Sequence, residues 1–430
     1  MNSEFALKII SEWLFETVLP ELLPREAAAE TPDPGKGPII AVVGPRRAGK
    51  TYFVFQKIER LIALQAPREE ILFLDFEDYR LKGFIPDDIS TIFEAFQRQT
   101  GKQPRYLFFD EIQQVPDWSR LLRTLHNQRR YSITVTGSNS SLLTREIATE
   151  LRGRYQDVLL MPYSFREYLR FRKIDYGTAA LNSSRRGTIT GAFNEWLLNG
   201  GYPELCAVSD KSARRRLLQN YYETVFYRDI VDRYSVKARD LLDGIMSAVL
   251  NGSGELFSVS AYAAQLARAG LSGSKRSIAS YLRYLQEAFF LISSEKFSWS
   301  ARKRTMNPEK VYLADTGFSL LSIAGSDNRG KLLETAVAGE FFRKGLKTCY
   351  YKDKRECDFI VMNDSRPQSA WQACWNLDEK NEKREVSGLT DAVASLKINH
   401  FGIITFGRSG SITSSGGKIP VLSAIDWFLQ

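Results

Sequence analysis

The stretch GPRRAGKT at positions 44–51 restricts this chain more than any other feature. It follows the short apolar run IIAVV at 39–43 and opens a helix-like stretch from Lys50 to about Gln65. A glycine-bounded loop between a strand and a helix turns its backbone N–H groups towards an anion. Gly44 and Gly49 supply the conformational freedom, with Pro45, Arg46, Arg47 and Ala48 between them. Lys50 is a point charge for β- and γ-phosphates, and the Thr51 hydroxyl is suited to Mg²⁺. The start of the following helix adds a favourable potential for the same anion. ATP and Mg²⁺ are therefore the expected cofactors.

Further apolar runs follow at 71–76 (ILFLDF), 106–110 (YLFFD) and 131–137 (YSITVTG), with helix-like sequence between them. VLLMPYS at 158–164 is expected to supply the last strand. Strands alternating with helices predict an α/β fold with a parallel sheet. In such sheets ligands bind outside the carboxyl ends of the strands. Asp110 and Glu111 stand at such an end. Asp110 is expected to hold Mg²⁺ through water, and Glu111 to polarise the attacking water. The next strand ends in Thr136, Gly137, Ser138 and Asn139. Ser138 or Asn139 stands where a side chain could sense the γ-phosphate, and register favours Ser138.

Composition narrows the chemistry. Only two histidines and four cysteines occur in 430 residues, so a Ser-His-Asp triad, a zinc cluster and a disulfide framework are all disfavoured. No apolar run is long enough to span a bilayer, and the acidic opening residues predict an amphipathic helix instead of a signal peptide. The expected compartment is the cytoplasm, with no membrane partner. The net charge of +9 permits a nucleic-acid partner without requiring one.

Eleven motifs occur in order along the chain: GPRRAGKT, LDFEDYRL (74–81), FFDEIQQVPDW (108–118), TGSNSSLL (136–143), LRGRY (151–155), MPYSFREYL (161–169), GGYPE (200–204), YETVFYRDI (222–230), YLADTG (312–317), LLETAVAGEFFR (332–343) and ECDFIV (356–361). With these the sequence resembles a large prokaryotic family of AAA-type ATPases. In that family a winged helix and a restriction-endonuclease-like domain follow the ATPase core. The resemblance implies a P-loop AAA-type parallel sheet with a helical lid, then a winged helix and a nuclease-like α/β domain. The expected divisions are 1–35 (helix and linker), 36–164 (ATPase core), 165–253 (lid), 254–329 (winged helix) and 330–430 (nuclease-like domain). It also strengthens Arg154, in the LRGR segment with Arg152, as a finger reaching the γ-phosphate of a neighbour in a ring or other homo-oligomer.

The segment 259–290 reads as two helices around a Gly/Ser turn, followed by a two-stranded wing at 291–314. Lys275, Arg276 and Arg283 lie on or near the second helix. Lys296, Arg302, Lys303, Arg304 and Lys310 surround Trp299 in the wing. These groups could grip DNA, the alternative being a packing module with a solvated basic loop. In the nuclease-like end, enzymes of the PD-(D/E)xK type hold Mg²⁺ on acidic residues and place a lysine two positions after the last of them. Glu334, Asp358 and Gln372 match that metal set, but Cys374 occupies the lysine position. A thiol provides no fixed positive charge. Lys380 or Lys383 could reach in from elsewhere, so the fold is expected to be retained while cleavage is in doubt.

The function expected from the sequence is an Mg²⁺-dependent ATPase coupled to DNA binding or remodelling. Two alternatives stay open. One is a nucleotide-controlled signalling or defence switch with a C-terminal effector, and the other an ATP-gated DNA endonuclease.

Overall fold

The computed structural model describes residues 2–138, 153–323, 328–407, 409–414 and 417–430. The chain forms two compact units, residues 1–161 and 162–430. Asn139 and Arg152 lie outside the described residues.

Five strands make the first unit's sheet: β1 (Ile39–Val43), β2 (Ile71–Asp75), β3 (Tyr106–Asp110), β4 (Ser132–Gly137) and β5 (Tyr155–Leu159). Their order is β2-β3-β4-β1-β5, and all pairs are parallel. Every residue of β1 and β4 is buried, as strands covered on both faces require. β5 begins earlier and ends sooner than the apolar run at 158–164 suggests. It is an edge strand, and Gln156 and Asp157 are exposed, so no apolar pattern marks its start. Helices α1 (Ser3–Ser11), α2 (Lys50–Ala63), α3 (Ile89–Thr100) and α4 (Trp118–Asn127) complete the unit.

The N-terminal residues are built into this unit. Ala6, Ile9, Ile10 and Trp13 are buried, and α1 packs on α3. The Trp13 indole donates to the Ile71 carbonyl at 2.7 Å, while the Arg68 guanidinium stacks over its ring at 4.6 Å. Residues 25–38, read as a linker from their Pro, Gly and charge content, form a strap over α2. Lys57 donates to the Ala29 carbonyl at 2.6 Å, and Ala27 and Ala29 pack against Ile40, Val42 and Phe53.

The second unit opens with helices Phe165–Phe171 and Arg186–Asn199. Phe165 meets Phe193 edge-on, and Trp196 meets Phe428 of the last helix. Helices Lys211–Thr224 and Arg239–Asn251 share one core with Val259–Arg268 and Lys275–Glu287. The last two are the expected pair around a Gly/Ser turn, capped by Ser258 and Ser274.

The remaining strands are β6 (Glu255–Phe257), β7 (Leu291–Lys296), β8 (Glu309–Leu313), β9 (Lys347–Lys352), β10 (Glu356–Asn363), β11 (Arg366–Cys374), β12 (His400–Thr405), β13 (Gly410–Ser414) and β14 (Gly417–Ser423). They form one mixed sheet in the order β13-β14-β12-β11-β10-β9-β7-β8-β6. β7 and β8 are antiparallel, as the expected wing requires, but a short helix, Ala301–Met306, connects them. β7 also pairs in parallel with β9, so the hairpin is part of the larger sheet instead of standing free. This fusion determines where Lys310 goes.

Candidate functional sites

The loop after β1 wraps inward because two positions accept no side chain. A Cβ on Gly44 would stand 1.9 Å from the Leu160 carbonyl oxygen. Gly49 has φ +93° and hands the chain into α2. Lys50, only 5% exposed, points back into the loop. Its ammonium donates to the Pro45 carbonyl at 3.2 Å and pairs with Glu111 Oε1 at 3.3 Å.

The carboxylates come from the end of β3. Asp110 Oδ2 accepts the Thr51 hydroxyl at 2.6 Å, and Asp110 Oδ1 accepts the Thr136 hydroxyl. Thr136 in turn accepts the Glu111 N–H at 2.9 Å. Burial pushes the Asp110 carboxyl up to about 6. Burial also disfavours the charge on Glu111, but the adjacent Lys50 leads the forces that hold it below the usual carboxylate range. Glu111 has φ +49°, an uncommon left-handed position for a non-glycine residue at a strand end. Gln113 bonds both its carboxylate and, at 3.4 Å, the buried Ser138 hydroxyl. Lys50, Thr51, Asp110, Glu111 and Ser138 thus converge at the carboxyl ends of β1, β3 and β4.

Arg46 turns out of the loop to pair with Glu77 at 2.9 Å. Arg154 does not join the cluster. It precedes β5, where Ile39 faces Tyr155, at the end of the sheet opposite the loop. Four strand residues, about 13 Å, separate that level from Val43. Its guanidinium donates to Asn127 Oδ1 at 2.8 Å.

Two contributors escaped the sequence reading. Thr136 was named only as part of a strand end, yet its hydroxyl bridges Asp110 and Glu111. Arg25 was placed in the linker. Its guanidinium donates to the Ala48 carbonyl at 2.7 Å and to the Met161 carbonyl at 2.6 Å, tying the strap to the phosphate loop. No local pattern marks either residue.

Residues 36–169 match the family model of an AAA domain, and residues 190–327 that of a domain of unknown function. Over 379 residues the chain is 30% identical to the uncharacterized protein MJ1544 of Methanocaldococcus jannaschii, spanning 86% of this chain and 83% of that protein. The chain belongs to the same family. An uncharacterized protein of Haemophilus influenzae is 26% identical over 396 residues, spanning 91% of this chain and 94% of its own. A solved Walker-type ATPase of Pyrococcus abyssi aligns with a TM-score of 0.43 and 17% identity, covering 66% of this chain and 91% of that one. The family member described here carries an AAA-type P-loop ATPase domain in its first unit and a mixed sheet in its second. Among the described residues no helix is long and apolar enough to cross a membrane.

The second unit holds a cleft of about 720 Å³. At its floor lies Lys310, 3% exposed. Its ammonium contacts Glu334 Oε1 at 2.7 Å, Glu356 Oε1 at 2.9 Å and Asp358 Oδ1 at 2.8 Å. The expectation that Lys310 belongs to a basic wing surface is therefore corrected. β8 lies in the sheet, and the side chain is buried among carboxylates. Glu334 and Asp358 do come together, but on this ammonium. Gln372 is engaged elsewhere, accepting the Asp358 N–H at 3.2 Å and donating to Glu385 at 2.6 Å. Among the described residues no three His, Cys, Asp or Glu side chains converge as a ready-made metal cage. Cys374 lines the same cleft, its thiol pushed up to about 12 by burial. Lys380 and Lys383 are exposed.

Lys275, Arg276, Arg283, Arg302 and Lys303 are all exposed, whereas Arg304 is half-buried. Arg304 donates to the Ser298 carbonyl at 2.8 Å and lies 3.7 Å from Glu295. Trp299, 71% exposed, stands beside this helix.

Proposed function

We propose that this protein is an Mg²⁺-dependent ATPase that couples hydrolysis to binding or remodelling of DNA. The observation that carries the reading is the convergence of Lys50, Thr51, Asp110 and Glu111 at one end of the parallel sheet. Thr51 Oγ1 and Asp110 Oδ2 are 2.6 Å apart, two hard oxygen donors side by side, which fits Mg²⁺. Bound with the nucleotide, Mg²⁺ would neutralise charge developing on the phosphates. The loop amides and Lys50 would bind and orient those phosphates. Lys50 now pairs with Glu111, so an arriving γ-phosphate competes for the ammonium. Its departure leaves the Glu111 carboxylate to accept the proton of the attacking water. Thr136 and Gln113 hold Glu111 in place, and Ser138 lies within reach of the same water through Gln113.

Arg154, at the end of the sheet opposite the phosphate loop, suits a role at a neighbour's nucleotide in a homo-oligomer, and not at its own. We read the helices Val259–Arg268 and Lys275–Glu287 with β7 and β8 as a winged helix. The order helix (Arg329–Arg343), β9, β10, β11, helix (Glu382–Leu396), β12 supports a restriction-endonuclease-like core. Exposed Lys275, Arg276, Arg283, Arg302 and Lys303, with Trp299, supply the cations and the aromatic face that a DNA backbone and an unstacked base take.

The test is the ATPase rate against single-stranded, duplex and branched DNA across a salt series. The expected outcome is stimulation that fades as salt rises and that Arg302→Ala/Lys303→Ala weakens for every sequence. A rate indifferent to all DNA at all salt concentrations would sink the DNA coupling while leaving the ATPase intact.

A further inference from the structure

We propose that Gln113 is a catalytic residue of the first unit: its amide oxygen, Oε1, accepts one O–H of the attacking water while Glu111 accepts the other. The assignment rests on the reading of this site as an ATPase and gives its water a second acceptor.

Three observations carry it. First, the backbone delivers Gln113 to the site. The left-handed Glu111 turns the end of β3 into the single turn Ile112–Gln114. The Gln114 N–H donates to the Glu111 carbonyl at 3.1 Å, and the Val115 N–H to the Ile112 carbonyl at 3.0 Å. Ile112 and Val115 are buried and anchor the turn in the core. The Gln113 side chain folds back onto the Glu111 carboxylate. Second, the orientation of its amide is fixed. Nε2 donates to Glu111 Oε2 and, at 3.4 Å, to the Ser138 hydroxyl. An ionised carboxylate only accepts, so the reversed amide would set two oxygens against each other. Third, the remaining amide oxygen is enclosed and has no hydrogen-bond partner among the described residues. The side-chain donors around it are committed. The Thr51 and Thr136 hydroxyls donate to Asp110, and Lys50 is held by Pro45 and Glu111. A buried amide oxygen left unpaired is costly, and at a nucleotide site it marks the place of a donor that arrives.

Water is that donor. A water held by one acceptor swings about its single bond. Held by two, it presents its lone pair in one direction, as in-line attack requires. In the resting site Lys50 occupies Glu111 Oε1 at 3.3 Å. Once a γ-phosphate draws the ammonium away, Glu111 and Gln113 Oε1 flank one water. The water oxygen bonds to the γ-phosphorus, and the bond from that phosphorus to the β,γ-bridging oxygen breaks. Its electron pair leaves with ADP. One proton of the water passes to Glu111, and the proton facing Gln113 stays on the new phosphate.

The motif FFDEIQQVPDW contains two adjacent glutamines, and nothing in their order says which one faces the site. The turn decides it, since Gln114 is exposed.

The experiment compares wild type, Gln113→Met and Gln113→Asn in single-turnover ATP hydrolysis with Mg²⁺. Affinity for a non-hydrolysable ATP analogue is measured beside it. Trapping of ADP is read with beryllium fluoride, which mimics bound ATP, and with aluminium fluoride, which mimics the transferring group with its axial water. Gln113→Met should keep analogue affinity and the beryllium fluoride complex. It should lose the aluminium fluoride complex and hydrolyse ATP about 100-fold more slowly. A glutamine that only braced the site would weaken both complexes alike. Gln113→Asn keeps the amide but withdraws its oxygen by one methylene. It should reproduce the split, and it keeps the test decisive if Gln113→Met fails to fold. Hydrolysis at the wild-type rate by the Gln113 variants, or equal weakening of the two fluoride complexes, would overturn this proposal and leave the ATPase reading standing. No hydrolysis by wild type would overturn both.

Discussion

Single side chains in this molecule do more than their motifs indicate. Asp315, in the YLADTG stretch, is buried and accepts the Gly201 N–H at 2.8 Å and the Gly317 N–H at 2.9 Å. It joins two glycine-containing motifs, and a Cβ on Gly200 would stand 1.8 Å from its Oδ1. Burial pushes its carboxyl from 3.8 up to about 6, against the pull of those two amides. A folded-state value above the unfolded one favours the protonated form. Its stabilising contribution is therefore full below pH 4 and lost as pH rises through about 6. The size is up to about 3 kcal/mol. Denaturant midpoints of wild type and Asp315→Asn between pH 4 and 7 check this. The advantage of wild type should shrink across that range, and parallel curves would contradict it. That Lys50, Thr51, Asp110 and Glu111 come together was legible because each pair lies in a short contiguous motif at a strand end. Thr136, Arg25, Asp315 and Lys310 were not, because each acts on a residue far away in sequence.

At the scale of elements, apolar runs located β1 to β4, and capped, periodic stretches located the helices Val259–Arg268 and Lys275–Glu287. The misses have physical causes. β5 is a sheet edge with solvated side chains, so its start carries no hydrophobic signal. Residues 25–38 have the composition of a linker, but the Ala29 carbonyl accepts the Lys57 side chain of α2 and the Arg25 N–H donates to Gln56 Oε1 of the same helix. Composition reports solvation, not which carbonyl a distant side chain will use. The strap also gives the phosphate loop a support that the motif does not contain. Arg25→Ala removes the bonds to Ala48 and Met161. It should raise the Kd for ATP by about 10-fold, as expected for loss of charge-assisted bonds, with a smaller change in kcat. Titration with a fluorescent nucleotide reads it directly, and an unchanged Kd would mean that the strap is only packing.

At the scale of the whole molecule, two compact units carry two clusters of charged groups. One lies at the carboxyl ends of β1, β3 and β4, and the other at the floor of a basic-rimmed cleft. Both place carboxylates beside a buried lysine, and in both the lysine now occupies itself with those carboxylates. In the first unit, on the reading proposed above, an arriving nucleotide would draw Lys50 away from this pairing and release Glu111. The scarcity of histidine and cysteine is consistent with both sites, since neither needs them. The net positive charge matters less as a total than by position: Lys310 leaves the surface, while Lys275, Arg276, Arg283, Arg302 and Lys303 stay on it.

The central claim is that Lys50 and Glu111 hydrolyse ATP. Steady-state hydrolysis with Mg²⁺ by wild type, Lys50→Ala and Glu111→Gln tests it most directly, with nucleotide affinity measured beside it. Glu111→Gln should bind ATP but turn it over about 100-fold more slowly or worse, and Lys50→Ala should lose binding and turnover together. Turnover unchanged in both variants would contradict the account.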